Sequence, residues 1–137
     1  MKAFRPTNNQ SKGGFTLIEM SLVIVVLIAL MTTGIFFSSA IGTWNAGRLA
    51  SETLRSVYVA QRTYMADHPT STMSSLTEAK LIHYLPDQAS TFPKVEGLDS
   101  TLRSININVS PPVVKDSSGS TYDPSGDPND SLWDVGE

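Results

Sequence analysis

The chain has 137 residues, a formal net charge of −3 and no cysteine. This length leaves room for one small domain plus an appendage. The absence of cysteine excludes disulfides, iron–sulfur clusters and thiol chemistry. Six acidic residues and no basic residue follow Lys115, so the sequence predicts no basic surface for nucleic acid.

The amino terminus is a basic segment followed by a long apolar run. Lys2, Arg5 and Lys12 lie in the first fourteen residues without any acid, and residues 15–37 follow as a mostly apolar stretch. As a helix, this stretch is about 34 Å long, enough to cross a bilayer. A cleaved secretory signal fits poorly, because its apolar region is shorter and its small residues come after it. A single-pass anchor with a cytoplasmic amino terminus fits better.

One acidic residue, Glu19, lies inside the apolar run. An ionised side chain within a membrane span is costly and tends to have a partner. A cut between Gly14 and Phe15 would create an α-amino group one helical turn from Glu19, and the acid could pair with its own amine or with a neighbour's. Such a pair contributes about 4 kcal/mol at a separation of about 4 Å and an effective dielectric of about 20, before desolvation is subtracted.

The stretch KGGFTLIEM, residues 12–20, together with the apolar run after it, resembles the processing signal of type IV pilins and type II secretion pseudopilins. The resemblance covers residues 12–40. It implies that a prepilin peptidase recognises Gly13 and Gly14, cuts between Gly14 and Phe15, and methylates the new amino group of Phe15. It also implies that Glu19 registers one subunit against the next during filament assembly.

The resemblance further implies an α+β, pilin-like fold, in which one long amino-terminal helix carries a small antiparallel sheet on its carboxyl-terminal half. The expected divisions are a basic leader (1–14), a hydrophobic transmembrane or filament-core helix (15–40), its amphipathic continuation (41–68) and a small globular head (69–137). The precursor is expected in the inner, cytoplasmic membrane, with a cytoplasmic amino terminus and a periplasmic head. Its expected partners are membrane lipid, the prepilin peptidase, the inner-membrane assembly platform and identical or related subunits.

The helical pattern continues beyond the apolar run and is predicted to end at Asp67, because Pro69 disfavours the helical conformation at His68. Helical spacing places one set of side chains on a single stripe: Leu54, Val57, Tyr58, Gln61, Tyr64 and Met65. No proline interrupts residues 15–67. Since Gly34 weakens a helix, we expect residues 32–35 to loosen when a subunit enters a filament.

Three arginines recur every seven residues on another face of the same helix: Arg48, Arg55 and Arg62. Two interpretations stay open for them, a solvated face or a contact with acids of an adjacent subunit.

The head is predicted to begin with a short helix. Residues 75–78 fit a capping box, which predicts a helix over 76–84 closed by Pro86. The candidate buried positions in this region are Leu76, Ala79, Leu81, Ile82 and Leu85.

The rest of the head is predicted to form the sheet. Residues 101–110 alternate apolar and polar side chains as a half-buried strand does, with Leu102, Ile105, Ile107 and Val109 pointing inward. Val113 and Val114 begin a second strand, a turn follows at 116–120, and the chain returns at Thr121 and Tyr122. The apolar residues of 131–137 suggest a further edge strand.

An acidic loop near the carboxyl terminus is a candidate calcium site. Asp123, Asp127 and Asp130 lie among glycine, proline and asparagine, and calcium takes six to eight oxygen ligands. Major pseudopilins have a calcium site in the carboxyl-terminal loop region, so the resemblance implies calcium here, although these acids do not match that family's ligands one by one. The spacing is not that of an EF-hand, and a solvated acidic loop is the alternative. No other cofactor is predicted.

The sequence thus predicts a structural subunit of a type II secretion pseudopilus or a type IV pilus-like filament, and no enzyme. The histidines, His68 and His83, have no ligand-like spacing, and no catalytic triad or phosphate loop occurs. The missing disulfide favours a pseudopilin over an adhesive pilus subunit. The alternative is a membrane-anchored binding protein with a small extracytoplasmic domain that never polymerises.

Overall fold

A computed structural model describes residues 13–86 and 90–136 of the chain. The chain divides into two compact units, one extending up to Ser38 and the other beginning at Ser39. Both units contain part of one long helix, α1, which spans Leu17–Asp67. The predicted end at Asp67 is confirmed. The predicted start at Phe15 is two residues early, because Thr16 caps the helix.

The first unit, in its described part, is the amino-terminal portion of α1. The helix runs through Gly34 without a break. Near that glycine the hydroxyls of Thr32 and Thr33 donate to the carbonyls of Ile28 and Ala29, at 2.8 and 2.9 Å. These local bonds satisfy the two hydroxyls within the helix itself, as an apolar environment requires.

In the second unit α1 buries one face in the head. The predicted stripe is confirmed in large part: Leu54, Val57 and Gln61 are fully buried and Tyr64 nearly so. Tyr58 and Met65 are half-buried at its edges. The side chain of Gln61 fits because its Nε2 donates to the carbonyls of Ile107 and Val109, at 2.8 and 3.1 Å.

The predicted helix over 76–84 is wrong in its start and its regularity. The chain forms a 3-10 turn at Met73–Ser75, then the short helix α2 at Glu78–Leu81, and a second 3-10 turn at Ile82–Tyr84. Thr77 is the N-cap and its side chain makes no capping bond. The capping box predicted at 75–78 does not form.

The reason lies at Leu76. Its side chain is buried, and its backbone is extended, as is that of Thr77. A helix therefore cannot begin at 76. The side-chain amide of Asn108 donates to the carbonyls of Met73, Ser74 and Leu76, at 3.1 to 3.3 Å, which fixes this turn from outside. Of the other predicted buried positions, Leu81 and Leu85 are buried, Ile82 is half-buried and Ala79 is exposed.

The head contains two small antiparallel sheets where one was predicted. In the first, β1 (Val95–Glu96) pairs with β2 (Leu102–Arg103). In the second, β3 (Ile105–Asn106) pairs with β4 (Val113–Val114). The secondary structure is thus α+β, with one long apolar helix followed by short strands.

The strand predicted over 101–110 is interrupted at Ser104, whose carbonyl accepts a bond from the backbone N–H of Lys115 at 2.9 Å. Ile105 and Ile107 are buried as predicted, whereas Leu102 and Val109 are exposed. The prediction for Leu102 was wrong because it overlooked the two-residue period of a strand. A residue three positions before Ile105 lies on the opposite face of a strand with period two.

The turn after β4 is confirmed. Lys115 and Thr121 form an isolated antiparallel bridge around it, and Asp116 accepts bonds from the backbone of Ser118 and Ser120. The predicted edge strand at 131–137 does not form in its described part. Trp133 and Val135 are nevertheless buried there and join the core.

One hydrophobic core unites these elements within the second unit. Its members come from α1, the α2 region, three of the strands or their flanks, and the carboxyl-terminal segment: Ala50, Leu54, Val57, Ala60, Tyr64, Leu76, Leu81, Leu85, Val95, Ile105, Ile107, Val114, Trp133 and Val135.

Candidate functional site

The predicted cleavage position lies in accessible chain ahead of α1. Gly13, Gly14 and Phe15 have no regular secondary structure and are exposed, with 80% of the surface of Phe15 open to solvent. Among the described residues, and apart from the two chain neighbours of each glycine, no atom comes within 4 Å of the position that a Cβ would occupy at Gly13 or Gly14. A protease therefore meets no steric obstacle from the described chain at the Gly14–Phe15 bond.

Glu19 and Thr16 form a reciprocal capping box at the start of α1. The backbone N–H and the hydroxyl of Thr16 donate to Oε2 of Glu19, at 2.7 and 2.8 Å. In return the backbone N–H of Glu19 donates to the hydroxyl of Thr16 at 3.2 Å. Thr16 is the N-cap and Glu19 the third helical residue, which is the arrangement that the pattern S/T-x-x-E/Q produces.

This second role of Glu19 was missed from the sequence, although the signal was present. The segments TLIE at 16–19 and SLTE at 75–78 both match the capping-box pattern. Only the first of them forms a capping box. The geometry directs the carboxylate back towards the chain before the helix, one residue from Phe15. Glu19 thus stabilises the first turn of α1 and holds a negative charge next to the predicted cleavage position.

The first part of α1 carries an uncovered apolar surface. Every large apolar side chain in residues 15–37 is exposed, from 47% at Val26 to 88% at Leu17. Among the described residues, α1 contains one stretch long and apolar enough to cross a membrane, and none of that stretch is buried. Such a surface marks a site of membrane or protein contact.

The acidic loop is organised by its own backbone. Asp123, Asp127 and Asp130 each accept a bond from a backbone N–H two residues further on, at 2.8 to 3.1 Å. Within the described ranges, no three histidine, aspartate or glutamate side chains converge as metal ligands. The structure does not gather the three predicted calcium ligands into one cluster, and the calcium site stays a prediction.

Asp134, next to this loop, has an oxygen without a partner. Its Oδ1 accepts the backbone N–H of Gly136 at 2.6 Å, whereas Oδ2 is buried and has no hydrogen bond. Desolvation raises the pKa of this carboxyl, and the nearby charges of Asp130 and Asp123 raise it further. The bond from Gly136 and the charge of Arg55 lower the pKa in part, and the oxygen without a hydrogen bond beside two acids is the feature of this loop that a cation would satisfy.

The carboxyl-terminal segment is fastened to α1 at three points, one helical turn apart. The backbone N–H of Trp133 donates to the carbonyl of Gly47 at 3.2 Å, and Oγ of Ser51 donates to the carbonyl of Ser131 at 2.7 Å. Nε of Arg55 donates to the carbonyl of Val135 at 2.8 Å. We call residues 131–136 the carboxyl-terminal strap.

The arginine face of α1 is not a uniform row. The guanidinium of Arg48 lies over the ring of Trp44 at 5.1 Å, and that of Arg62 lies over Tyr58 at 5.7 Å. Arg55 instead bonds the strap. In the part of the chain that the structure describes, none of the three forms an ion pair with an acid.

The histidines take structural places. The ring of His68 stacks on that of Tyr64, with centroids 4.4 Å apart, at the end of α1. His83 is exposed in the second 3-10 turn.

The chain was compared with protein-family models, with curated proteins and with solved structures, and nothing matches. The functional proposal therefore depends on the residues and contacts described above.

Proposed function

We propose that this protein is the precursor of a pilin-like filament subunit. It is inserted in the inner membrane with its head in the periplasm and cut by a prepilin peptidase between Gly14 and Phe15. It is then methylated at Phe15 and assembled into a filament through the apolar part of α1. Its role is structural and not catalytic. The small head and the lack of cysteine favour a type II secretion pseudopilus over an adhesive pilus.

A single observation carries this proposal. A helix with an exposed apolar surface begins directly after an accessible Gly13–Gly14–Phe15 segment, and Glu19 caps its first turn. In a plain membrane anchor Glu19 would do no more than cap the first turn of α1, which an uncharged glutamine could also do without placing a charge in the apolar run. A subunit that must later pair with a newly formed amino group does need it.

The physics of the apolar surface supports the same sequence of events. In lipid the apolar side chains of residues 15–37 are solvated without neighbours, so apolar contact gives no reason for these helices to associate. Cleavage adds a positive amino group at Phe15 and removes three positive charges with the leader. The amino group and the carboxylate of Glu19 then attract each other between subunits, and this attraction sets the register of the bundle.

The acidic loop is a proposed secondary feature. Calcium held near Asp123, Asp127 and Asp130, with the unpartnered oxygen of Asp134, would link the loop to the strap and so to α1. In a chain without cysteine, such an ion would take the part that a disulfide plays in other small exported domains.

Intact-mass measurement on the mature protein tests the proposal. We expect a chain that begins at Phe15 and carries the mass of one added methyl group, from cells that contain a prepilin peptidase. In a Gly14→Val variant the branched side chain should block the peptidase and leave residues 1–14 attached. Gly34→Val, the same exchange at a glycine inside α1 and away from the cleavage position, should still be processed. A wild-type chain that retains its leader in such cells contradicts the proposal and leaves the membrane-anchored binding protein.

A further inference from the structure

A cavity of about 290 Å³ lies in the second unit, between the exposed side of α1 and the carboxyl-terminal strap. Four charged side chains line it, Arg48 and Arg55 with Glu52 and Asp130, and Trp44 closes one side. This size is close to the lower end of small-ligand pockets, about 300 Å³.

The four charges share the cavity without neutralising one another. No ion pair joins either arginine to an acid of the described chain. The guanidinium of Arg48 lies over the ring of Trp44, 5.1 Å from its centroid, and its N–H groups make no hydrogen bond within the described residues. The carboxylate of Glu52 makes no hydrogen bond within the described residues, and Asp130 uses one oxygen for the backbone N–H of Leu132.

We propose that this cavity binds the headgroup of a zwitterionic phospholipid of the phosphatidylethanolamine type. The phosphate contacts Arg48 and Arg55, since guanidinium groups match phosphate oxygens in charge and geometry. The ammonium group donates to Glu52 and Asp130. A primary ammonium fits better than a quaternary one, because Arg48 already lies over the ring of Trp44 that a choline group would use.

The position of the cavity in the sequence favours lipid over other zwitterions. Trp44 comes seven residues after Phe37, where the apolar run ends. Seven residues reach at most about 25 Å even when fully extended, so Trp44 lies within that distance of the point where the run leaves a bilayer. Tryptophan is enriched at that depth. The inference depends on the membrane insertion in the proposed function, and not on cleavage or filament formation.

The test uses the full chain in non-ionic detergent, with bound lipid counted by native mass spectrometry. We expect one retained phosphatidylethanolamine per chain, and about tenfold weaker retention of phosphatidylglycerol, which has the phosphate but no ammonium. Phosphatidylcholine should also be weaker, and inorganic phosphate should not compete at equal concentration. Equal retention of all these lipids would overturn the proposal.

Variants of single side chains sharpen the test. Arg48→Gln should weaken phosphatidylethanolamine binding about tenfold. Arg62→Gln is the matched control, because Arg62 also stacks on an aromatic ring four residues before it but lies outside the cavity. Glu52→Gln should weaken phosphatidylethanolamine without weakening phosphatidylglycerol, since it removes only a partner of the ammonium.

Results that contradict the lipid site differ from those that contradict the proposed function. Equal effects of Arg48→Gln and Arg62→Gln would overturn the headgroup site. Loss of cross-linking between copies in Arg48→Gln, with lipid retention unchanged, would make the cavity a subunit contact and likewise overturn it. A wild-type chain that is absent from the membrane fraction would instead contradict the proposed function, and a leader that is never removed would leave the lipid site unaffected.

Discussion

The two parts of α1 share one continuous helical backbone, but their side chains differ in burial. In residues 15–37 every large apolar side chain is exposed, and the polar bonds at its start and near Gly34 are local. From Gly47 onward one face is buried, and contacts reach residues some 80 positions away in the chain. The first part leaves its apolar surface uncovered, whereas the second buries one face against the rest of its own unit.

This contrast predicts that substitutions in the two parts of α1 affect different properties. A change in the first part should alter membrane behaviour and filaments without altering the unfolding of the head. A change on the buried face of the second part should do the reverse. Each experiment below tests whether the two parts are as independent as their contacts suggest.

The largest expected effect is at Glu19. We expect Glu19→Ala to enter the membrane and to form no filaments, because the partner of the new amino group is lost. Glu19→Gln separates the two roles, since its amide oxygen can still accept the N–H of Thr16 but carries no charge. Electron microscopy of filaments, with membrane fractionation, provides the measurement. Normal filaments from Glu19→Gln would mean that the capping box matters and the charge does not.

The next largest effect is in the core of the head. Leu54→Ala removes a fully buried side chain and should lower the free energy of unfolding by about 2–5 kcal/mol. Leu49→Ala, five residues earlier on the same helix, removes a side chain that is 65% exposed and should change it by less than about 0.5 kcal/mol. Chemical denaturation of the full chain in detergent compares them. Similar losses for both would show that the exposed face of α1 is covered.

Alanine at two glycines of α1 should change the stability by a smaller amount and with opposite sign, which tests how closely the carboxyl-terminal strap packs on α1. An added Cβ at Gly47 would lie 3.0 to 3.2 Å from Trp133 and Leu132, so Gly47→Ala should push the strap away and destabilise the head. Gly42→Ala meets nothing within 4 Å and should stabilise the helix by up to about 1 kcal/mol. Thermal melts of both variants give the sign. Stabilisation by Gly47→Ala would mean that the strap is not held closely against α1.

The smallest expected effect is the pH dependence at Asp134. Desolvation raises the pKa of this carboxyl in the folded chain, so the folded state binds the proton more tightly than the unfolded state. Its contribution to stability therefore falls as pH rises from the ordinary pKa of 3.8 through the folded value. Asp134→Asn keeps the acceptor for Gly136 and removes the charge, so it should melt higher than wild type near neutral pH and lose this pH dependence.

Calcium provides the companion measurement. If an ion satisfies the oxygen of Asp134, millimolar calcium should raise the melting temperature of wild type and leave Asp134→Asn unchanged. An unchanged wild-type melting temperature in calcium would contradict the calcium site and leave the solvated acidic loop. Melting of Asp134→Asn below wild type at neutral pH would show that the charge of Asp134 is compensated.

Two segments that match the same capping-box pattern show how far local sequence determines structure. TLIE at 16–19 forms its capping box, and no other side chain of the described residues bonds Thr16 or Glu19. SLTE at 75–78 does not, because the buried side chain of Leu76 and the amide of Asn108 hold the chain extended just where a helix would start. Asn108 is some thirty residues away, and no local pattern reports it.

The sequence by itself determined the apolar run, the end of α1 at Asp67 and most of the stripe that the head covers. These features depend on composition, helical period and proline, all of which act within a few residues. The division into two sheets at Ser104, the strap and the cavity beside it were decided only by the tertiary structure. Ser131 and Trp133 adopt positive φ there, at 61° and 65°. At Ser131 and Trp133 the bonds to α1 hold this costly conformation, and those bonds exist only once the chain has folded.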